Sequence, residues 1–437
     1  MQQVKYEKPR SIAISDANKA AFFPSGLEYN PPARGTWNIV HTGMLIPGAH
    51  QIYACAQGCL RGVILTAAEM NALDRMSWIS VSEQDMYDGS LEYDIIDGCA
   101  EILRKLPYQP RVILLFLSCI HLFAGVDFEM ILRELRMQFP EIVFVDCYMT
   151  PTMRQTVAPA VLLATRLYDP LEARQTDPKA VCILGNDRPT DPDCEMLRVL
   201  RENGFTLHDL TLCETYEDYQ RIAESALSIT YTPVAQRAGE DLQARLGIPA
   251  LHLPVSFDYD EIAANLQRLC DALHVSCPDL SAGIAAADAA LDAAHAVIGD
   301  TAVAIDFTAV TRPFELAKLL VQHGFRVSAV IADACGEDGN AFDWLREHSP
   351  ELQIYQAVNV NMLHLHTEPH EPVLAIGQKA AHYFATDHFV NIVINGGYYG
   401  FAGIAKLAAL MTDAFRIPKD RKTVLRHKGI GCASCLM

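Results

Sequence analysis

Apolar residues in this 437-residue chain fall into short continuous runs separated by segments of helical spacing. The clearest run, VILLFL at 112–117, ends at Ser118-Cys119. Its length suits a strand buried on both faces of a parallel sheet and is too short to cross a bilayer. From Phe128 the pattern FEMILRELRMQF predicts an amphipathic helix. Upstream, the glycine-rich stretch TWNIVHTGMLIPGAHQIYACAQGC leads to Cys59, and LRGVILTAAEM is a helix candidate behind it. ISVSEQDMYDGS reads as a short strand and loop, LEYDIIDGCAEILRKL as a helix, and EIVFVDC (141–147) as another buried strand.

From 179 the alternation becomes regular. AVCILG, LSITYT and ALHLP read as strands among the helical patterns CEMLRVLRENG, YEDYQRIAESA, AGEDLQARLG and YDEIAANLQRLCDAL. An Ala/Asp-rich helix, SAGIAAADAALDAAHAVIG (281–299), bridges to a third group. There AVAIDF and PFELAKLLVQHGF echo AVCILG and MLRVLRENGF, and RVSAVIA, LQIYQA, VLAIG and VNIVIN follow as strands before FAGIAKLAALMTDAF. Apolar runs alternating with amphipathic helices predict right-handed βαβ units. The fold class is therefore α/β, with three Rossmann-like domains, each a parallel sheet flanked by helices. The boundaries expected are 1–175 (an N-terminal arm and a first α/β domain), 176–280 and 281–437 (bridging helix, third domain and C-terminal tail). No strand is followed by GxGxxG, so a dinucleotide site is not supported.

Composition narrows the partners. Half of the residues are hydrophobic, 20% are charged, and 35 Lys+Arg stand against 53 Asp+Glu for a net charge of −18. That balance argues against nucleic-acid binding, which needs a basic face. The start, MQQVKYEKPR, lacks the apolar core of a signal peptide, and no uninterrupted apolar run reaches ~18 residues. A cytoplasmic location and no membrane association are expected. Thirteen cysteines in a reducing compartment are not a disulfide framework. Cys99, Cys182 and Cys270 sit inside helix or strand patterns and are expected to be inert core thiols.

Cys59 and Cys119 stand apart. A thiol at the carboxyl end of a parallel strand lies where open α/β sheets place ligands. The chain here resembles the component 1 superfamily of nitrogenase, most of all its α-type subunits. The resemblance rests on Pro32-Ala33-Arg34-Gly35 followed by a glycine-rich run to Gln57-Gly58-Cys59, and on Ser82-Glu83 through Asp88-Gly89. It rests also on Ser118-Cys119 with Gly125-Val126-Asp127, on Gly247-Ile248-Pro249, and on Tyr399-Gly400-Phe401-Ala402-Gly403. Their order and spacing cover nearly the whole chain.

The resemblance implies a paired assembly with an iron–sulfur cluster at the subunit interface, fed by a separate ATP-hydrolysing iron-protein reductase. The absence of GxxxxGK[ST] here agrees with ATP hydrolysis by that partner. Of three interface-cluster cysteines in the α-type pattern, two match Cys59 and Cys119, and the first is replaced by Thr36. The cysteine that holds the active-site cofactor falls near Tyr231, and the cofactor's histidine is replaced by Tyr399. These departures argue against dinitrogen reduction.

Two cysteines per chain imply a [4Fe–4S] cluster shared between subunits, in a homodimer or in a heterodimer with a related component 1 subunit. The function implied is the iron–sulfur catalytic component of a two-component reductase acting on a small molecule or tetrapyrrole-like substrate. The alternative is a non-catalytic scaffold for metallocluster assembly. The site for substrate or a possible second metallocluster is expected in the cleft between domains, near Tyr231, His364 and Tyr399.

Other candidates have a functional and a structural reading. Cys55 is a candidate replacement for the missing ligand. Cys432 and Cys435 form a C-terminal CxxC, half of a metal site or a redox pair. His364, His366 and His370 in LHLHTEPHEP suggest a metal box, with strand alternation placing the first two on one face, against a reading as solvated loop histidines. Arg34 and Arg154 are candidate anion or cluster neighbours. Asp127 is expected to cap the helix that follows.

Overall fold

The computed structural model describes residues 10–24, 26, 28–29, 31, 33, 38–150 and 157–426. Its strands are β1 (Ser11–Ala13), β2 (Ala49–Cys55), β3 (Met76–Ser80), β4 (Val112–Ser118), β5 (Val143–Met149), β6 (Asp177–Ile183) and β7 (Thr206–Asp209). They continue as β8 (Ser225–Thr230), β9 (Ala250–His252), β10 (Ala302–Asp306), β11 (Val327–Ile331), β12 (Gln353–Tyr355), β13 (Val373–Ile376) and β14 (Phe389–Val390).

They form three sheets flanked by helices, as the α/β reading expects. The first has order β3-β2-β4-β5, the second β7-β6-β8-β9, and the third β1-β12-β11-β10-β13-β14. Every pairing is parallel except β1 with β12. The arm grouped on sequence with the first unit therefore contributes its strand to the third sheet. Arg346 Nη2, donating to Ala17 O at 2.8 Å, ties it there again.

β2 and β4 are buried throughout. On sequence β2 falls within the glycine-rich segment that leads to Cys59, and its run AHQIYAC carries His50 and Gln51. Both are buried, and internal partners satisfy them. His50 bonds Tyr108 Oη and Ser77 Oγ, and Gln51 donates to Val40 O while accepting from Tyr53 Oη. Glu83–Asp88, expected as loop, is a short helix with a capping box at Ser82. Asp127 caps Phe128–Gln138 as expected, accepting from Met130 N at 3.0 Å.

The cores run across unit boundaries. One packs Tyr53 and Phe116 of the first unit with Cys182 and Leu184 of the second. Another joins Val181 and Ile183 to Val303 and Ile305 of the third. Continuous apolar packing of this kind holds the units in one arrangement.

The bridging helix, Ser281–Ile298, is by length and composition apolar enough to cross a membrane, a property that the run-length argument missed. It lies against Gly400–Arg416, with Ala287, Leu291, Ala294 and Ile298 buried.

Candidate functional site

In each sheet the chain reverses its direction of travel between two neighbouring parallel strands, and ligands in open α/β sheets bind beyond the carboxyl ends of such a pair. In the first sheet that pair is β2 and β4, with Ala54 registered against Leu117. The helix that follows β2 carries Cys59 in its first turn, and Cys119 directly follows β4. Cys55, the last residue of β2, lies between them.

These thiols differ in access. Cys59 is exposed in the first turn of helix Gln57–Glu69, Cys119 is partly exposed, and Cys55 is buried. Burial, with Cys59 and Cys119 nearby, pushes the Cys55 thiol up to about 12. It is a poor source of thiolate. The exposed pair can offer sulfur to an iron–sulfur cluster, and the helix N-terminus behind Cys59 favours the negative charge this brings. Among the described residues, no three His, Cys, Asp or Glu side chains converge on a single metal position.

Apolar side chains flank this edge in the open. Tyr87 is 85% exposed, Phe123 73%, Tyr93 66% and Leu122 57%. All four belong to helices that begin at the carboxyl edge of the first sheet. Leu122 and Phe123 share the short helix that begins at Cys119, and exposed apolar side chains beside a reactive group suit an interaction face.

The pair β6 and β8 of the second sheet ends at a cleft of about 210 Å³ that the residues after β10 of the third sheet also line. Asn186 and Arg188 after β6, Tyr231 and Thr232 after β8, and Phe307 after β10 line it, together with Asn38 of the first unit. Asn186 Oδ1 and Thr232 Oγ1 are buried there with no hydrogen-bond partner among the described residues. A cleft with a few unfilled polar positions on mostly apolar walls is suited to a small ligand.

One wall is strained. Ile394, Asn395, Gly396 and Gly397 have consecutive φ values of 49°, 60°, 63° and 82°. VNIVIN was expected to be a strand, but pairing ends at Val390 and the chain enters this left-handed turn. A β-branched residue at positive φ is costly and persists only where its surroundings impose it.

Tyr231 and Tyr399 meet with ring centroids 5.8 Å apart. Tyr231 lines the cleft and bonds Thr190 Oγ1 at 2.9 Å. Tyr399 is 2% exposed, and its Oη lies buried without a partner among the described residues. Burial raises both phenols far above the usual value, so both are protonated at neutral pH. They occupy space and hold no charge.

His364 is exposed and does not line the cleft. The segment holding His364 and His366 forms 3-10 turns, which removes the strand alternation expected for them. Asn359 drives this by accepting from Asn361 N at 3.0 Å. His370 bonds Leu365 O at 2.8 Å. Cys99, Cys182 and Cys270 are buried thiols. Arg34, Thr36, Arg154, Cys432 and Cys435 lie outside the described residues.

Sequence reading missed Asn186, Arg188, Thr232 and Phe307. Their common mark is a position just after an apolar run at a switch point, a cue that needs the strand order.

A family model for "Nitrogenase component 1 type Oxidoreductase" matches residues 40–416. No curated protein matches. Among solved structures, "Nitrogenase Cp1 at pH 6.5" is similar with a TM-score of 0.68 at 14% identity, over 92% of this chain and 96% of that one. "Nitrogenase Cp1 at pH 5" is similar with a TM-score of 0.59 at 13% identity, over 93% of each chain. At these identities the structural likeness bears on the fold alone.

Proposed function

This chain belongs to the nitrogenase component 1 type oxidoreductase family, and from that premise we propose that it is the iron–sulfur catalytic component of a two-component, ATP-dependent reductase. The observation that carries the reading is the pair of accessible thiols, Cys59 and Cys119, at neighbouring strand ends on an open apolar face. Two such faces related by a two-fold axis supply four thiolates, enough for one [4Fe–4S] cluster shared between subunits. A related subunit in place of the second copy supplies the same set.

When bound, the cluster supplies low-potential one-electron chemistry, with electrons from an ATP-hydrolysing iron-protein partner. The chain's own residues do the positioning. Cys59 and Cys119 offer thiolates, while Tyr87, Tyr93, Leu122 and Phe123 exclude water once the faces meet. In the cleft, Asn186 and Thr232 offer hydrogen bonds to a small substrate, and Phe307 gives it an apolar wall. The α-type pattern has its cofactor cysteine near Tyr231 and its cofactor histidine at Tyr399, and the loss of both here supports a reaction other than dinitrogen reduction.

The exposure of Cys59 also favours a second reading, a scaffold that holds a metallocluster and passes it on. Iron and acid-labile sulfide per chain, measured after anaerobic purification beside Cys59→Ser, test the first reading. About two irons per chain, lost in the variant, are expected for one shared [4Fe–4S] cluster. A well-folded protein with no iron overturns it. ATP-dependent turnover with an iron protein separates the reductase from the scaffold, which releases its cluster to an acceptor instead.

A further inference from the structure

The polar groups of the cleft beyond β6 and β8 constrain what it binds. Asn186, 5% exposed, has its amide fixed from both sides. Its Nδ2 donates to Arg188 O at 2.9 Å and to Asp209 Oδ2 at 2.8 Å, which uses both hydrogens. A carbonyl only accepts, so the amide cannot turn over and set its own oxygen against Arg188 O. Asp209 is buried and held in turn, its Oδ1 accepting from Thr211 N at 2.8 Å and Thr211 Oγ1 at 2.6 Å. Asn186 Oδ1 is therefore a locked acceptor, buried and without a donor among the described residues. Thr232 Oγ1, also buried and unpartnered there, can give or take a hydrogen bond and adapts to whatever Asn186 selects. A buried acceptor left unmet is costly, and a donor on a ligand removes the cost.

Charge and size narrow the ligand further. Among the described residues, the charged side chains lining the cleft are Asp187 and Arg188, and Arg188 Nε donates to Asp187 Oδ1 at 3.0 Å. Together they carry no net charge, and an anion would set its charge against Asp187 and the lone pairs of Asn186. Tyr231 and Phe307 give aromatic walls, and Ala164, Val234 and Ile394 give aliphatic ones. The volume of about 210 Å³ suits one or two rings. It exceeds the ~150 Å³ of an apolar cavity that takes benzene and falls short of the ~300 Å³ at which pockets for drug-sized ligands begin.

We propose that the cleft binds an uncharged molecule of one or two rings that presents an N–H or O–H donor to Asn186 Oδ1. The inference rests on reading this cleft as the substrate site, and it names the class of substrate. Asn186 is the residue that sets the specificity. An isostere with a bare oxygen in place of N–H leaves Asn186 Oδ1 facing a second acceptor and is rejected. Binding makes no covalent bond and moves no electron.

The test titrates the full, anaerobically purified chain with indole, benzofuran and benzoate in a calorimeter. Indole is expected to bind once per chain. Benzofuran has the same shape without the N–H, and benzoate brings a negative charge; each is expected to bind at least tenfold more weakly. Asn186→Leu removes the acceptor and should bring indole and benzofuran to equal affinity. If that variant does not fold, the ranking of the three probes on the parent chain decides. Indole that fails to bind, benzofuran that binds as tightly, or benzoate that binds tightest overturns the proposal. A preference for indole that survives in folded Asn186→Leu also overturns it. Iron measured on the same samples separates the two readings. About two irons per chain with no indole binding fails this inference alone. Selective indole binding by a well-folded chain without iron fails the reductase reading alone.

Discussion

Cys55 and Cys59 are four residues apart and meet opposite surroundings. Cys55 ends a buried strand, and Cys59 stands open on a helix turn. A ligand must be able to give up its proton and reach the metal, so the two should separate cleanly on substitution. Cys55→Ala is expected to keep about two irons per chain, whereas Cys119→Ser loses them as Cys59→Ser does, read by iron and sulfide analysis.

A second residue-scale prediction concerns Asp338. It is 2% exposed and accepts from Phe314 N at 2.8 Å, and burial raises its carboxyl to about 7. Below about pH 4 it is protonated folded or unfolded. Between about 4 and 7 the unfolded chain ionises while the folded one keeps the proton, so stability falls as pH rises through that window. The effect is on the order of 2–4 kcal/mol. Asp338→Asn should flatten this slope, seen as a smaller loss in urea midpoint between pH 4.5 and 8 than in the parent chain.

Among the elements, the turn 394–397 is the most exacting. A Cβ on Gly397 would lie 2.5 Å from Pro189 O, and φ there is +82°. Gly397→Ala is therefore expected to cost about 2 kcal/mol or more in chemical unfolding. It should also disturb the cleft, since Gly397 lines it. What was legible in the sequence follows the same logic. β4 and the helix after Asp127 were plain because apolar spacing and a cap agree with the fold. β2 was hidden because the bonds that make His50 and Gln51 acceptable in a core come largely from outside the strand, from Tyr108 and Ser77 for His50 and from Val40 for Gln51. The turn 394–397 was hidden because VNIVIN has strand composition, and only the Asn-Gly-Gly after Ile394 hints at left-handed backbone. Cys119 was visible from its place at the end of an apolar run and Cys59 from its glycine turn and the family resemblance, but the cleft was not, because strand order alone brings Asn186, Thr232 and Phe307 together.

For the whole molecule, the proposed pairing of subunits sets the apolar edge of the first unit at their contact, and that makes the contact the point of failure. Charged side chains there carry a desolvation cost that apolar ones do not. Leu122→Asp with Phe123→Asp, both at exposed positions, should leave the fold intact and give a monomer by light scattering. Iron should fall with the dimer, because half a thiolate set remains on each chain.

The pairing of β1 with β12 has a consequence for how the protein is made. Ser11 and Tyr355 are partners in one sheet, so the arm leaves the ribosome long before the strand that receives it. At roughly 5–20 residues per second, the wait is on the order of tens of seconds. During that time the first and second units can close their sheets, whereas the third keeps one edge open until the oldest segment of the chain returns to cover it. A bulky fusion at the amino terminus should therefore slow maturation of the last-made unit and leave the first-made one unaffected.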